Sequence, residues 1–365
     1  AIQEAVREAM QRADLIVTTG GLGPTSDDLT RQLIAELLHA KLQENISVRE
    51  RIESFFTRRN RPIPPGTEVQ ALIPAGAEVL MNEFGTAPGL WMPFARGMIL
   101  MLPGPPRELR PMFSNQALPL IEKRFGKPVN LACLTLKSAG IGESMVEDRI
   151  QEPLQKLVEG GLTIGYCARV GEVDIRLSAQ GENGNAMVAE AEEIVREQID
   201  KHIFGTGDDS MEGVVVKILT DQKKTLALAE SCTGGYIANR ITNISGASAV
   251  FMGGAVTYSN EAKQSLLNVN AATISQFGAV SEQTAREMAK GALERFNADY
   301  AISVTGIAGP NGGTDDKPVG TVFIGFADAS DTIVVRQLNQ FDRETFKFLT
   351  SQQALEILRR RLTNK

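Results

Sequence analysis

Histidine, cysteine and aromatic residues are scarce in this chain. Its 365 residues include two histidines, three cysteines, one tryptophan and four tyrosines. His39 and His202 neighbour no catalytic-looking motif, so a nucleophilic serine would draw on a base other than histidine, and a Ser–Lys pair is a known alternative. Cys133, Cys167 and Cys232 are widely separated and form no CxxC pair. That spacing suggests neither a zinc site nor a disulfide framework, and it fits a reducing cytoplasm. Positive charge is not in excess: 38 Lys and Arg against 44 Asp and Glu give a net charge of −6. No basic stripe interleaved with aromatics is present, so direct nucleic-acid binding has no electrostatic support. Apolar runs such as Met98–Leu102 are too short to span a bilayer. The chain opens at Ala1 inside an amphipathic pattern (Ile2, Val6, Ala9, Met10) without the shape of a signal peptide, and further residues upstream are expected.

The length exceeds what one core holds, which predicts two or three domains of α/β class. Residues 1–130 read as α/β. A helix over 1–12 leads to a strand over 13–19, a glycine turn and a helix over 27–40. A polar helix over 47–59, a Pro-rich break at 61–66 and strands over 78–81 and 97–102 follow. Residues 131–207 read as a small α+β module, with strands over 131–138 and 173–179, a helix over 186–199 and a linker at 205–210. Residues 208–365 read as a second α/β unit. Helices are expected over 211–220, 236–241, 282–296 (capped by Ser281) and 343–362. Strands are expected over 225–229, 250–258, 300–304, 319–327 and 332–337.

Two constellations carry chemistry. The stretch from Leu226 to Tyr236, LALAESCTGGY, reads as a strand, a serine at a sharp turn and a glycine pair opening a helix. The first turn of a helix leaves its N–H donors unpaired, so Gly234 and Gly235 are expected to offer free donors to an oxyanion or phosphate. Ser231 is then either a nucleophile or an ordinary N-cap. Gly253 and Gly254 follow, then Tyr258 and Lys263 in TYSNEAK, and a loop with Thr305, Gly306, Gly309 and Pro310. A desolvated lysine has a lowered pKa and can serve as a base; Lys263 can equally be a solvated helix residue, and Tyr258 a core-edge aromatic. The other constellation is TTGGLGPTSDDLT, residues 18–30. It has the form of a phosphate seat between strand and helix. Asp27 and Asp28 can stabilise the helix dipole there or ligate a hard cation. The glycine spacing is neither the Rossmann nor the Walker pattern.

The GGLG…DDLT segment, with Gly20, Gly21, Gly23, Asp28 and Thr30, resembles the molybdopterin-binding fold of the MogA/MoaB type, with Leu22 where that motif has Thr. Together with Gly85-Thr-Ala-Pro-Gly89 and Leu102-Pro-Gly-Pro-Pro-Arg-Glu108 it is similar to the CinA family. ESCTGG, TYSNEAK, VSEQTAREMA, TGIAGP and KPVGTVF resemble the C-terminal domain of that family, and the middle module resembles it through SAGIGE and GEVDIR. The resemblance implies an N-terminal molybdopterin-binding-like α/β domain, a middle module and a C-terminal CinA domain. It implies nicotinamide mononucleotide (NMN) deamidation in the C-terminal domain without a cofactor, with Ser231, Lys263, Tyr258 and Thr305 catalytic. Cys232, Thr233, Gly234, Gly235, Gly253, Gly306, Gly309 and Arg343 would surround the substrate.

For the N-terminal domain it implies an ADP-ribose pyrophosphatase using a divalent metal cation. Gly20, Gly21, Gly23, Thr30, Thr86, Gly89, Gly104 and Pro105 would bind the substrate, with Asp28 and Asp27 toward the metal. Two departures stand out. The family's opening strand with its GDEL-type motif does not occur in this sequence, and Lys347 stands where the family's second arginine after Arg343 would be. A lysine neutralises phosphate but does not bind it bidentately.

The chemistry expected is attack by Ser231 with Lys263 as base and Tyr258 relaying a proton toward ammonia, with Cys232 as a rival nucleophile. A non-catalytic nucleotide-binding adaptor linked to competence or DNA damage is the alternative, and a molybdopterin-handling protein a third. A cytoplasmic homodimer without membrane contact is expected.

Overall fold

The computed structural model describes residues 1–127 and 131–363. The chain divides into two compact units, Ala1–Pro128 and Val129–Lys365. Both are α/β, as the sequence predicts. Among the described residues, no helix is long and apolar enough to cross a membrane.

In the first unit a four-stranded sheet runs in the order Leu15–Thr19, Gly97–Leu102, Gly89–Phe94, Glu78–Leu80. The first pair is parallel and the rest are antiparallel. The Gly97–Leu102 strand is buried at every position, because both of its faces are covered. Ile99 and Met101 enter one core with Ile16 and Ile34, and Met98, Leu100 and Leu102 enter another with Trp91 and Met112. A two-stranded sheet pairs Leu42–Glu44 with Leu72–Pro74. These two strands and Gly89–Phe94 are absent from the sequence expectation; the strands are short or carry Pro74 or Pro93, which weakens a strand signal. The helix expected over 27–40 is confined to Thr30–Leu37. Thr25 donates from its backbone N–H (3.0 Å) and its hydroxyl (2.5 Å) to Asp28. This local turn competes with helix, so Asp27 and Asp28 precede the first helical turn rather than lying in it.

The second unit begins with an antiparallel sheet in the order Ile203–Thr206, Leu131–Ala139, Glu172–Gln180, Thr163–Arg169. Helices Glu143–Glu159 and Gly184–Ile199 share its core through Val146, Ile150, Leu154, Ala191 and Val195. The first of these helices contains Pro153, a residue that argues against helix in a sequence. The expected linker is partly strand. Gly205 and Thr206 end Ile203–Thr206, and Ser210 caps helix Met211–Gln222 by accepting from Gly213 N.

The C-terminal sheet has the order Phe251–Val256, Leu226–Glu230, Tyr300–Gly306, Thr321–Asp328, Thr332–Leu338. The first three strands are parallel, and Thr321–Asp328 runs antiparallel to its neighbours on both sides. Leu226 and Leu228 face a core shared with helices Met211–Gln222 and Arg343–Thr363. Ala227 and Ala229 face the other side, with Met288 and Ala292 of helix Glu282–Phe296. Ser281 caps that last helix as expected, accepting from Thr284 N. From Leu226–Glu230 the chain crosses to a neighbour on one side, Phe251–Val256, and then returns to the other side, Tyr300–Gly306. Such a switch point opens a crevice at the carboxyl ends of the strands, and Ser231 follows directly on Glu230 there.

Gly253 is not at that end. It pairs with Ala227, at the start of the neighbouring strand. Its φ is +152°, and a Cβ there would lie 2.6 Å from the Phe296 ring. The register and the Phe296 contact assign it a packing role. Gly253→Ala is expected to cost about 1–3 kcal/mol through overpacking and strain. Gly254→Ala, where the nearest atom would lie 3.3 Å away, is expected to cost less. Urea unfolding of the two variants measures the difference.

Candidate functional site

The turn after Leu226–Glu230 is held by an ion of the protein's own. The Glu230 carboxylate, 2% exposed, accepts from the N–H groups of Gly235 (3.1 Å), Ile237 (3.1 Å) and Ala238 (2.8 Å). The start of helix Tyr236–Thr242 is thereby satisfied by an internal anion, where the dipole favours one. Gly234 N donates to Ser231 O at 3.1 Å. The sequence expectation of free donors at Gly234 and Gly235 is therefore corrected: both are engaged. Among the described residues, the N–H groups of Cys232 and Thr233 take no backbone acceptor. Ser231 itself is fixed by its N–H bond to Val304 O, 3.0 Å, across the switch point.

Lys263 meets the serine. It lies on helix Asn260–Leu267, whose N-cap Ser259 accepts from Ala262 N. Its ammonium nitrogen is 3.0 Å from Ser231 Oγ and 2.7 Å from the Thr257 carbonyl. The residue is 1% exposed, and neither partner is charged. Burial pushes its pKa below the ordinary lysine value, with only the Cys232 sulfur acting the other way. A neutral amine so placed can donate to Thr257 and accept the serine proton on its lone pair. The hydroxyls of Thr233 and Thr257 are buried beside these groups without hydrogen-bond partners.

The remaining residues of this constellation separate into roles. Tyr258 is exposed and accepts from Arg343 Nη2 at 2.6 Å, while Arg343 Nη1 donates to the Gly309 carbonyl at 2.9 Å. Arg343 thus ties the loop at Gly309 to the segment that carries Tyr258. Lys347, one turn further along the same helix, lies 5.6 Å over the Tyr236 ring. Thr305 is buried and donates to the Ala279 carbonyl at 2.7 Å, so its hydroxyl is already committed. Gly306 ends its strand beside Thr321 and Val322. Cys232 sits in the core that includes Leu228, Ile237 and Phe346, and burial pushes its thiol up to about 12. A buried, protonated thiol is a poor nucleophile, so its place in the core weighs against Cys232 as the rival to Ser231.

In the first unit, three separate loops meet. Gly20, Gly21, Leu22 and Gly23 line a cavity of 310 Å³ together with Thr86 and Ala87 and with Pro103, Gly104 and Pro105. Asp28, Gln70 and Glu108 complete its polar wall. Thr30 and Gly89 stand behind this wall. The space at Gly21 is filled by the Thr30 hydroxyl, 2.1 Å from where a Cβ would be, and Gly89 packs against Met112. Asp27 is exposed and accepts from the Thr25 hydroxyl; it does not line the cavity. Burial alone would raise the Asp28 carboxyl, but hydrogen bonds from Thr25 and Gly23 and the charge of Arg31 hold it below its ordinary value. Arg31, which the sequence reading missed, is buried and donates to Leu22 O at 3.3 Å. Gln70 was also missed as a wall residue, since it lies far in sequence from the glycine turn it joins; Glu108 lies in the 103–108 loop that the sequence places at this site. A larger cavity, 610 Å³, lies between the middle and C-terminal modules, lined among others by Lys137, Asp174, Arg240 and Phe348. It holds none of the expected site residues.

Replacing Glu230 by Gln would turn one acceptor oxygen into a donor facing backbone N–H groups. Glu230→Gln is expected to cost roughly 3 kcal/mol, the scale of hydrogen bonds to a charged group. Chemical unfolding measures the loss, and slower exchange of the Gly235, Ile237 and Ala238 amides in the unsubstituted protein gives an independent readout.

Three family models match the chain in series: "Probable molybdopterin binding domain" over residues 1–123, "Damage-inducible protein CinA KH domain" over 134–205 and "CinA C-terminal domain" over 208–362. A CinA-like protein of Syntrophomonas wolfei is 40% identical over 367 residues, covering 100% of this chain and 88% of its own length. A CinA-like protein of Akkermansia muciniphila is 42% identical over 359 residues, covering 97% and 85%. Among solved structures, the competence/damage inducible protein CihA of Agrobacterium tumefaciens is 41% identical, with a TM-score of 0.40, over 40% of this chain and 91% of that one. CinA of Thermoplasma acidophilum is 30% identical, with a TM-score of 0.29, over 34% of this chain and 69% of that one. With relatives at this identity matching nearly its whole length, and with all three domain models in order, the chain belongs to the CinA family.

Proposed function

We propose that the C-terminal module hydrolyses the carboxamide of NMN to nicotinate mononucleotide and ammonia. The observation that supports this reading is the Lys263–Ser231 contact: a buried lysine, bonded only to neutral groups, set 3.0 Å from a serine hydroxyl. Ser231 Oγ attacks the carboxamide carbon while its proton passes to Lys263 Nζ. The developing oxyanion is met by the N–H groups of Cys232 and Thr233. The tetrahedral adduct collapses with cleavage of the C–N bond, and the leaving nitrogen takes the proton from Lys263 and departs as ammonia. Water, deprotonated by the same amine, then attacks the acyl ester and releases the carboxylate and the serine. Tyr258 accepts from Arg343 and keeps its own hydrogen to donate toward the leaving group. Arg343 and Lys347 place positive charge at the edge of the site for the 5′-phosphate.

In the same proposal the N-terminal unit is an ADP-ribose pyrophosphatase that acts with a divalent cation. The cavity supports it by joining a glycine turn to two carboxylates, Asp28 and Glu108. Among the described residues no three His, Cys, Asp or Glu side chains gather into an all-protein cage. One or two carboxylates plus substrate phosphate and water is the usual setting of magnesium, so these residues fit such an ion. Bound there, the cation would polarise a phosphoryl oxygen. The chain's own part is to hold it through Asp28 and Glu108 and to present the backbone of Gly20–Gly23 to the diphosphate. The adaptor reading gives no reason to bury an amine against a serine hydroxyl.

Ammonia release from NMN tests the deamidase. Release that vanishes in Ser231→Ala is expected, and retained release in that variant overturns the nucleophile. Because the base must be unprotonated, the rate is expected to rise with pH and level off at an apparent pKa below the lysine reference of 10.5. Lys263→Met is expected to lower the rate roughly 10³-fold. Between the lowered folded value and 10.5 the unfolded lysine binds more protons, so the folded state gains stability as pH rises through that window. Lys263→Met is expected to lose that gain, measured by urea unfolding across the pH range.

A further inference from the structure

The middle module meets the C-terminal module along helix Arg343–Thr363, an uninterrupted run of 21 residues without proline. The first residue of this helix, Arg343, donates to Tyr258 at 2.6 Å and to the Gly309 carbonyl at 2.9 Å, and Lys347 follows one turn on. About 13 Å along the axis from Arg343, at 1.5 Å per residue, Gln352 faces the middle module. Its amide nitrogen donates to Glu172 Oε1 at 2.7 Å. The turn that carries Glu172 is pressed onto the helix: a Cβ on Gly171 would lie 3.0 Å from Leu349 and 3.1 Å from Gln352.

The other end of the same carboxamide is also taken. Gln352 Oε1 accepts from Arg240 Nη2 at 2.7 Å, and Arg240 further donates to Ser351 and Glu212. Arg240 is buried and lies on helix Tyr236–Thr242, whose start the Glu230 carboxylate pins. With both ends bonded, the Gln352 side chain is held in one orientation. A continuous link thus runs from the middle module, through the helix that carries Arg343, to the helix that follows Ser231. Buried polar networks with every member satisfied fix geometry in this way. Arg359 donates to the Lys201 carbonyl at 2.7 Å, a second tether to the middle module that lies farther from the site.

We infer that Glu172 is a positioning residue for the C-terminal site: by accepting from Gln352 it sets helix Arg343–Thr363 so that Arg343 and Lys347 meet the phosphate of the substrate. The inference rests on the deamidase reading and gives the middle module a part in substrate selection. Ser231 and Lys263 lie on other elements, so Glu172 acts on the grip of the phosphate and not on the serine–lysine step. An uncharged acceptor suffices at this position, because Gln352 needs a lone pair and not a charge.

The test is ammonia release by the full chain from NMN and from nicotinamide riboside, its counterpart without phosphate. The unsubstituted protein is expected to prefer NMN in kcat/KM. Glu172→Ala is expected to lower that preference about fivefold, the scale of one hydrogen bond, chiefly through a higher KM for NMN and with the pH dependence of the rate unchanged. Glu172→Gln, which keeps an acceptor for Gln352, is expected to retain the preference. Gln352→Met breaks the same link from the helix side and reads the effect whether or not Glu172→Ala folds. Its preference is expected to fall at least as far, and adding Glu172→Ala to it is expected to lower it no further. A preference unchanged in Gln352→Met or in a folded Glu172→Ala, even with a lower melting point, overturns the assignment and leaves the deamidase reading intact. Equal losses in Glu172→Ala and Glu172→Gln overturn it as well. Ammonia release from neither compound by the unsubstituted protein overturns the deamidase reading and the assignment with it.

Discussion

The Glu230 carboxylate, buried under the first turn of helix Tyr236–Thr242, is the interaction on which the C-terminal site depends. Three backbone N–H groups converge on it, so the strand that carries it and the helix that follows are locked by a single charge. Ser231 lies between the two ends of that lock and has little freedom left. Its N–H is tied to Val304, which belongs to the strand on the other side of the switch point. Lys263 approaches from a different crossover, and the bond from its amine to the Thr257 carbonyl sets its position. The Glu230 carboxylate is taken up by backbone donors, and among the described residues no carboxylate pairs with the lysine. The amine is left among neutral groups, where burial favours the uncharged form.

The two units use the same local device to opposite ends. Each places a glycine turn after the carboxyl end of a strand and before a short helix. In the C-terminal turn the helix donors are filled from within, and the turn becomes a mount for the Ser231 hydroxyl. In the N-terminal turn, Asp28 folds back onto Thr25 and the helix starts later. The loop at Gly20–Gly23 then remains open to a cavity that two other loops enclose. An anion at a helix start can be ligand or protein, and the residue preceding the turn decides which: glutamate before Ser231, threonine before Gly20.

Much of the sheet framework is legible in the sequence because strands covered on both faces stand out as short apolar runs. Leu226–Glu230 and Gly97–Leu102 read as strands in this way, and each divides its side chains between two cores. Helix Glu282–Phe296 is legible from its serine cap and apolar stripe. Less legible are elements whose local residues oppose their state: helix Glu143–Glu159 with Pro153 inside it, and strand Gly89–Phe94 with Pro93. Tertiary packing overrides propensity there. Gly253 shows what register adds: it pairs with Ala227, away from the end of the sheet that carries Ser231, and lies against the Phe296 ring.

The sequence by itself determined the family, the α/β class, the candidate nucleophile and base, and the three loops that converge in the N-terminal unit. Motifs and residue spacing carry that information along the chain. Only the tertiary structure decided which groups are available for chemistry. The donors of Gly235 go to Glu230, the hydroxyl of Thr305 goes to Ala279, and the thiol of Cys232 goes into the core. Availability is what remains after every neighbour has taken its hydrogen bonds, and those neighbours lie 26 residues away for Thr305 and 32 for Ser231 and Lys263. The same reason hides Gln70 in the sequence: only the fold brings it into the wall of a cavity beside a glycine turn far away along the chain.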